Sequence, residues 1–422
     1  MKRYDSYKDS GVKWLGEIPS HWEMKRWRFL MNENTTKNSN CNVKLQLQFK
    51  YGDIIRKTNQ SEEKDVLETI SKYTVVEPND IMINGLNLNY DFVSQRVARV
   101  REEGAITSAY VSLRPTEIAD SRFYTYFLKS MDAKKMFHGM GTGIRLTLSY
   151  NELKNQFLPK PSLKEQQAIA NYLDAATSKI DETIAQQQKM IDLLNERKQI
   201  IINNAVTKGL DPNVPMKDSG IKWIGMIPSN WELLPFKYIL KVSKKLVGKE
   251  SFKYELLSLT LKGIIKRDMN NPDGKWPASF DTYQEVTPGD FVFCNFDNEE
   301  TPRAVGLSTY RGMITGAYDV MRCINQDIDI HYLIYYLLYI DNEKRFKPLY
   351  KGLRKTVPLD SLMAYKIPIP TKKEQIDIVS YLDNKLESIN KGIENINKQI
   401  SLLQERKQII INDVVTGKIK VV

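Results

Sequence analysis

The sequence predicts an α+β chain made twice over: two mixed α/β domains, each followed by a long helix, with the two helices paired as a coiled coil. Three observations predict it. Blocks of sequence recur at one constant offset, each recurrence ends in a stretch whose apolar residues repeat every 3.5 positions, and the regions between read as short alternating strands.

The repeat comes first. KDSGVKWLGEIPSHWEM from Lys8 and KDSGIKWIGMIPSNWEL from Lys217 are identical at 12 of 17 positions, an offset of 209. The same offset pairs LPKPSLKEQQAIANYLD from Leu158 with IPIPTKKEQIDIVSYLD from Ile367, and NERKQIIINNAVT from Asn195 with QERKQIIINDVVT from Gln404. The first unit ends at Gly209, before the turn-forming run Asp211-Pro212-Asn213-Val214-Pro215. Domains are therefore expected at 1–157 and 210–366, and helices within 158–209 and 367–422. Trp14, Trp22, Trp223 and Trp231 are read as anchors for the two opening segments rather than as base-stacking platforms.

Each helix has a marked start. A proline pair (Pro159 and Pro161, Pro368 and Pro370) is expected to stop the preceding strand, and Ser162-x-x-Glu165 or Thr371-x-x-Glu374 then supplies a capping box. Apolar residues follow at spacings of four and three: Ile169, Leu173, Ile180, Ile184, Ile191 and Leu194 in the first tail, and Ile378, Leu382, Leu386, Ile389, Ile393, Ile396, Ile400 and Leu403 in the second. That period marks a coiled-coil seam. A helix from Ser162 to Lys208 would be about 70 Å long, and so narrow a seam on a lone helix leaves apolar surface in water. The tails are therefore expected to pack on each other, with Thr177 and Gln187 as polar intrusions that fix register.

In the domains the pattern alternates. Val43 to Lys50 reads as a strand with one apolar face and one face of Lys and Gln. Val75-Val76-Glu77-Pro78-Asn79-Asp80-Ile81 matches Glu285-Val286-Thr287-Pro288-Gly289-Asp290-Phe291 as a turn delivering a strand, and helices are expected over 122–137 and 331–346. Between these pieces the repeats diverge, as in Asn84 to Asp91 against Asn295 to Arg303.

Composition and motifs exclude several classes. Mean hydropathy is −0.44, and no apolar run approaches the ~20 residues of a membrane span. The start, MKRYDSYKDSG, lacks the apolar stretch of a secretory signal, so the cytoplasm is the expected location. Cys41, Cys294 and Cys323 are odd in number and far apart, which fits neither a disulfide framework nor a zinc site. There is no G-x-x-x-x-G-K-[ST] phosphate loop. Gly139 to Gly143 follows a helix and so stands in the wrong order for a dinucleotide fingerprint. No polar-Pro-Pro-aromatic string for adenine methylation is present, the nearest, Asn271-Pro272-Asp273-Gly274, reading as a turn. His21, His138 and His331 are isolated from one another. Catalysis, metal and cofactor binding are not expected in this chain.

The charge is +11, and the helical tails, with 16 basic and 13 acidic residues, account for +3 of it. The remaining +8 lies in the variable domains, where affinity for phosphates is expected. Amide and guanidinium side chains on strands and loops suit base edges. The candidates are Lys44, Gln46, Gln48, Lys50, Asn84, Asn87, Asn89, Tyr90 and Arg145 in the first domain, and Lys262, Asn295, Asn298, Arg303 and Arg354 in the second. Arg145 and Arg354 hold equivalent places in Gly-Ile-Arg-Leu-Thr and Gly-Leu-Arg-Lys-Thr.

With its doubled G-x-x-W-x-G-x-I-P-x-x-W opening at Gly11 and Gly220, its doubled P-x-x-x-E-Q-x-x-I at Pro161 and Pro370, and its two E-R-K-Q-x-I helix ends, the whole chain resembles the DNA-specificity subunits of type I restriction and modification systems. The resemblance implies two target-recognition domains, each reading half of a split, asymmetric double-stranded site. It implies helices packed antiparallel as a spacer that docks two adenine methyltransferase subunits, with restriction subunits that translocate DNA joining them. S-adenosylmethionine, ATP and Mg2+ would be used on those other subunits. It supplies no fixed base-contact residues. The competing classes are a stand-alone DNA methyltransferase, which would need the absent motifs, and a structural coiled-coil protein, which would not need two basic, divergent domains.

Overall fold

The computed structural model describes residues 2–421 apart from Tyr51, 59–63, Arg145, 269–276 and Ala278, and only the backbone of 64–67. The expected turn at 271–274 and the arginine at 145 lie outside these residues. The chain divides into two compact units, Met1–Gln188 with Asn397–Val422, and Lys189–Ile396. Four helices organise them: α1 (Ser121–Ala133), α2 (Leu163–Lys208), α3 (Ile330–Asn342) and α4 (Lys372–Val415).

Both units have the same frame. In the first, a four-stranded antiparallel sheet runs in the order Met31–Glu33, Val111–Pro115, Ile81–Ile83, Val97–Arg99; in the second the order is Leu240–Val242, Asp319–Cys323, Asp290–Phe293, Val305–Leu307. A helix covers each sheet, α1 or α3, N-capped by Asp120 or Asp329, whose carboxylates accept two backbone N–H groups each. These helices end earlier than expected, because Lys135 and Lys344 turn into the left-handed region at φ 58° and 49°. A β-hairpin, Leu47–Lys50 with Asp53–Arg56 or Leu257–Thr260 with Gly263–Lys266, lies beside each sheet. Of the proline pairs, Pro159 and Pro368 sit inside two-stranded edge ribbons, where a missing donor is tolerated, and Pro161 and Pro370 follow the strand.

The joint between domain and tail explains the recurring Trp and Glu-Gln. Trp22 is fully buried and its indole N–H donates to Glu165 (3.0 Å), which also accepts the Tyr4 hydroxyl (2.8 Å). Trp231, equally buried, donates to Glu374 (3.3 Å). Ser162 caps the Glu165 N–H (3.3 Å) without a return bond from that carboxylate, which is taken by the opening segment, whereas Thr371 and Glu374 form the reciprocal box. The next residue, Gln166 or Gln375, accepts the backbone N–H of Asp120 or Asp329, the N-cap of α1 or α3 (2.7 Å in both), and donates to the carbonyl of Pro161 or Pro370 (3.0 Å).

Each core is closed by the far end of the other repeat's tail. In the first unit Ile410, Ile411, Val414 and Val415 join Trp22, Phe123, Ile169 and Leu173 in one cluster. In the second unit Ile202, Ala205 and Val206 join Trp231, Tyr332, Ile378 and Leu382. Polar ties show that the tails run antiparallel. Lys407 meets Asp181 (2.6 Å) and Gln187 donates to Gln399 (2.9 Å) in the first unit, while Lys198 donates to Asn390 (2.9 Å) in the second. Of the seam residues, Ile169, Leu173, Ile191, Ile378, Leu382, Leu386 and Ile400 are buried, and Ile180, Ile184, Leu194, Ile389, Ile393, Ile396 and Leu403 are half-buried. Gln187 does reach across the seam. Thr177 does not: its hydroxyl bonds Leu173 O (2.7 Å) and lies 3.1 Å from the Tyr126 hydroxyl of α1.

Two outcomes follow. Glu165→Ala removes the acceptor of a buried indole and a buried phenol, at about 1–3 kcal/mol for each group left unsatisfied, and should lower the urea midpoint clearly, while Glu387→Ala, in an exposed ion pair with Lys391, should change stability by less than about 0.5 kcal/mol. A fragment ending at Leu210 carries Ile201, Ile202, Ala205 and Val206 in the places of Ile410, Ile411, Val414 and Val415. It should dimerise by closing each core with its partner's helix end, and sedimentation at micromolar concentration that shows a monomer would refute this exchange.

Candidate nucleic-acid interface

A buried carboxylate fixes the strand that delivers each variable loop. Asp80 is 2% exposed and accepts both Arg114 Nε and Nη2 (2.9 Å each) and the Glu77 N–H (3.0 Å). Asp290 does the same for Arg322 (2.8 and 3.1 Å) and the Thr287 N–H (2.8 Å). These bonds hold both guanidinium groups above their ordinary pKa. The residue before each aspartate turns at positive φ, Asn79 at 80° and Gly289 at 90°, which is why Asn and Gly occupy it.

In the first unit the strand opens into residues 84–95. Arg96, fully buried, clamps this loop by donating to the carbonyls of Asn84 (3.0 Å), Leu86 (2.8 Å) and Asp91 (2.6 Å). The Asp91 carboxyl is drawn down to about 2 by hydrogen bonds from the Ser94 side chain and backbone. A short hairpin closed by the Thr142–Thr147 bridge packs beside the loop, since Leu148 N–H donates to Gly85 O (2.9 Å) and Asn89 Nδ2 to Ile144 O (3.4 Å). The two pieces make one surface. It exposes Asn87, Tyr90, Phe92, Val93 and Ile144, the last almost fully. Asn84 and Asn89 are half-buried, and the Asn84 carboxamide is used by the Leu86 N–H (3.2 Å).

The second unit repeats the construction. The hairpin over 351–356 is stitched to the loop over 294–303 by Asp297 N–H to Arg354 O (2.6 Å) and Val357 N–H to Asn295 O (2.8 Å). Arg354 is exposed and forms a bidentate pair with Asp297 (3.2 and 2.5 Å), its guanidinium 4.6 Å from the Phe296 ring. Asn295 is half-buried and donates to Asp319. Two candidates do not face solvent as expected. Asn298 is 3% exposed and donates to Cys294 O (3.1 Å), and Arg303 lies against α3, with Asp341 at 3.6 Å and Asn342 at 3.4 Å. Both brace the loop from behind.

The strand expected over 43–50 forms only at Leu47–Lys50. Gln46 is 3% exposed and forms a parallel bridge with Ala105 of the neighbouring strand. It cannot reach a base edge. Gln48 is half-buried, while Lys44 and Lys50 are exposed, as is Lys262 at the turn of the equivalent hairpin. Sequence reasoning passed over Arg96, Asp297 and Phe296. A signal for Asp297 was present in the spacing, since Asn87 and Asp297 each stand seven residues after the matched Asp80 and Asp290; the structure gives both a positive φ, 53° and 50°. Among the described residues no three His, Cys, Asp or Glu side chains gather as metal ligands, and no helix is long and apolar enough to cross a membrane.

Comparison with known proteins places this arrangement in a family. The chain is 24% identical to the MjaX type I restriction enzyme specificity subunit of Methanocaldococcus jannaschii over 98% of both chains. It is 27% identical to the MjaVIII type I restriction enzyme specificity subunit of the same organism, over 83% of this chain and 81% of the relative. A solved chain from work on complex assembly and conformational transition of the type I R-M system shares its fold at a TM-score of 0.68 and 14% identity, covering 95% of this chain and 99% of that one. The family model for the type I restriction modification DNA specificity domain matches residues 20–192 and 305–401, and the chain therefore belongs to the type I restriction-modification specificity family.

Proposed function

We propose that each domain of this specificity subunit reads one half of a bipartite, asymmetric DNA site and that the chain itself performs no chemistry. One observation carries this reading: the same loop-and-hairpin surface is built twice on one frame, with different side chains in each copy. A duplicated frame with identical surfaces would read a palindrome; divergent surfaces read two different half-sites. Excess charge in the variable domains supplies sequence-independent attraction to phosphates. On this reading adenine methylation and DNA cleavage reside in two methyltransferase subunits and in restriction subunits, which use S-adenosylmethionine, ATP and Mg2+, and the assembly acts in the cytoplasm. The antiparallel tails set the gap between the half-sites.

Binding to DNA should weaken steeply with salt. Lys44→Ala and Lys262→Ala should each lower affinity evenly across sequences and reduce the salt slope by about one, whereas Lys189→Ala on a tail should leave both unchanged; filter binding at several salt concentrations checks this. The pairing of Gln187 with Gln399 and of Asp181 with Lys407 puts Ile184 at the level of Leu403, so a heptad meant to lengthen both tails with pairing preserved belongs after Ile184 and before Leu403. It should lengthen the tails by about 10 Å and widen the recognised gap by about three base pairs at ~3.4 Å per step, with both half-sites retained. An unchanged gap in mapped methylation would take the spacer role from these helices.

A further inference from the structure

We infer that Arg354 reads a guanine in the half-site of the second domain, pre-set for it by Asp297 and Phe296. The inference rests on the reading that this domain binds one half-site, and it identifies the base and the residues that choose it.

The pair is not needed to hold the loops together. Backbone bonds already join the hairpin over 351–356 to its neighbour, through Asp297 N–H to Arg354 O (2.6 Å) and Val357 N–H to Asn295 O (2.8 Å). The side chains are open to solvent, 65% exposed for Arg354 and 38% for Asp297, and an ion pair so placed contributes little to folding. What it does is orient. The carboxylate takes Nε (3.2 Å) and Nη2 (2.5 Å) of the guanidinium, and the Phe296 ring supports its face at 4.6 Å. A long, flexible side chain is thereby fixed before DNA arrives, which removes an ordering cost at binding.

The free edge then determines what Arg354 can recognise. With Nε and one Nη2 proton on Asp297, the edge formed by Nη1 and the second Nη2 proton is not used by the carboxylate, on a side chain that is largely exposed. Two parallel donors match O6 and N7 of guanine in the major groove, while adenine offers N7 beside a donor and so opposes one of them. The carboxylate also argues against a phosphate contact. Asp297 is held ionised, its pKa lowered chiefly by the hydrogen bond from Arg354, and a fixed negative charge beside the guanidinium repels a phosphate but not a neutral base edge. In the first unit the corresponding left-handed position is Asn87, an amide where the second unit has the Asp297 carboxylate.

The test is selection of bound duplexes from a randomised DNA library by the full chain, with sequencing of the enriched pool. The wild type should enrich a split site whose second half contains a G·C pair, preferred by roughly 10- to 100-fold over other pairs at that position. Arg354→Ala should abolish the preference at that one position and leave the first half-site intact, which also reports that the variant is folded. Asp297→Asn should weaken the same preference, since the neutral amide no longer fixes the guanidinium. The inference is overturned if Arg354→Ala lowers enrichment evenly at all positions and reduces the salt slope by about one, the signature of a phosphate contact. It is overturned equally if Asp297→Asn tightens binding to every sequence, or if the relaxed position falls in the first half-site. A wild type that enriches no split site would instead remove the underlying reading of the domain.

Discussion

Burial of one tryptophan in each repeat against two different helices is the constraint on which the rest of this structure depends. Trp22 is pinned at its indole nitrogen by Glu165, at the start of its own tail, and packs with Val414 and Val415, at the end of the other. Trp231 is held in the same way by Glu374 and packs with Ala205 and Val206. Both indoles are fully buried in clusters that include a helix end from the other repeat, so neither domain core is complete without that end. The glycine that ends each tail reflects this closeness. Gly417 turns at φ +76°, and a Cβ there would meet Pro19 at 2.3 Å and Trp22 at 3.1 Å. Gly209 turns at +77° with Trp231 at 3.5 Å.

That exchange brings the two tails together antiparallel within each unit. The frame is held by buried, repeated contacts: the Trp–Glu joint, the glutamine that follows it, and the buried aspartates Asp80 and Asp290 with their arginines. These contacts recur in both units, while the loops they deliver differ in chemistry and keep only a few buried residues, such as Leu88 and Asn298. Arg96 and Arg303 show the latitude. Both back a variable loop, yet one binds main-chain carbonyls within the loop and the other leans on α3.

Several parts of this molecule were legible in the sequence because they depend on local or periodic signals. The constant offset of 209 exposed the duplication, the 3.5-residue period exposed the seam, and the Ser162 and Thr371 positions marked the helix starts. The site was legible only in outline. Gln46 and Asn298 read as surface amides in alternating or polar stretches, but burial is decided by tertiary neighbours: Gln46, just before the hairpin, pairs with Ala105 of another strand, and the Asn298 side chain turns inward to a carbonyl. Arg96 read as one basic residue among many, since nothing in its neighbours announces that three carbonyls converge on it.

By itself the sequence determined the repeat, the two basic and divergent domains, the seam residues and the absence of the phosphate-loop and adenine-methylation motifs, since these are properties of residue type and spacing along the chain. Only the tertiary structure decided that each tail closes the other repeat's core, that Thr177 bonds its own helix rather than crossing the seam, and that Asp297 lies beneath Arg354. The first and last turn on contacts between residues dozens to hundreds of positions apart, and the direction of the Thr177 hydroxyl is set by Leu173 and by Tyr126 of another helix; packing and hydrogen-bond geometry fix such contacts, and no local pattern records them.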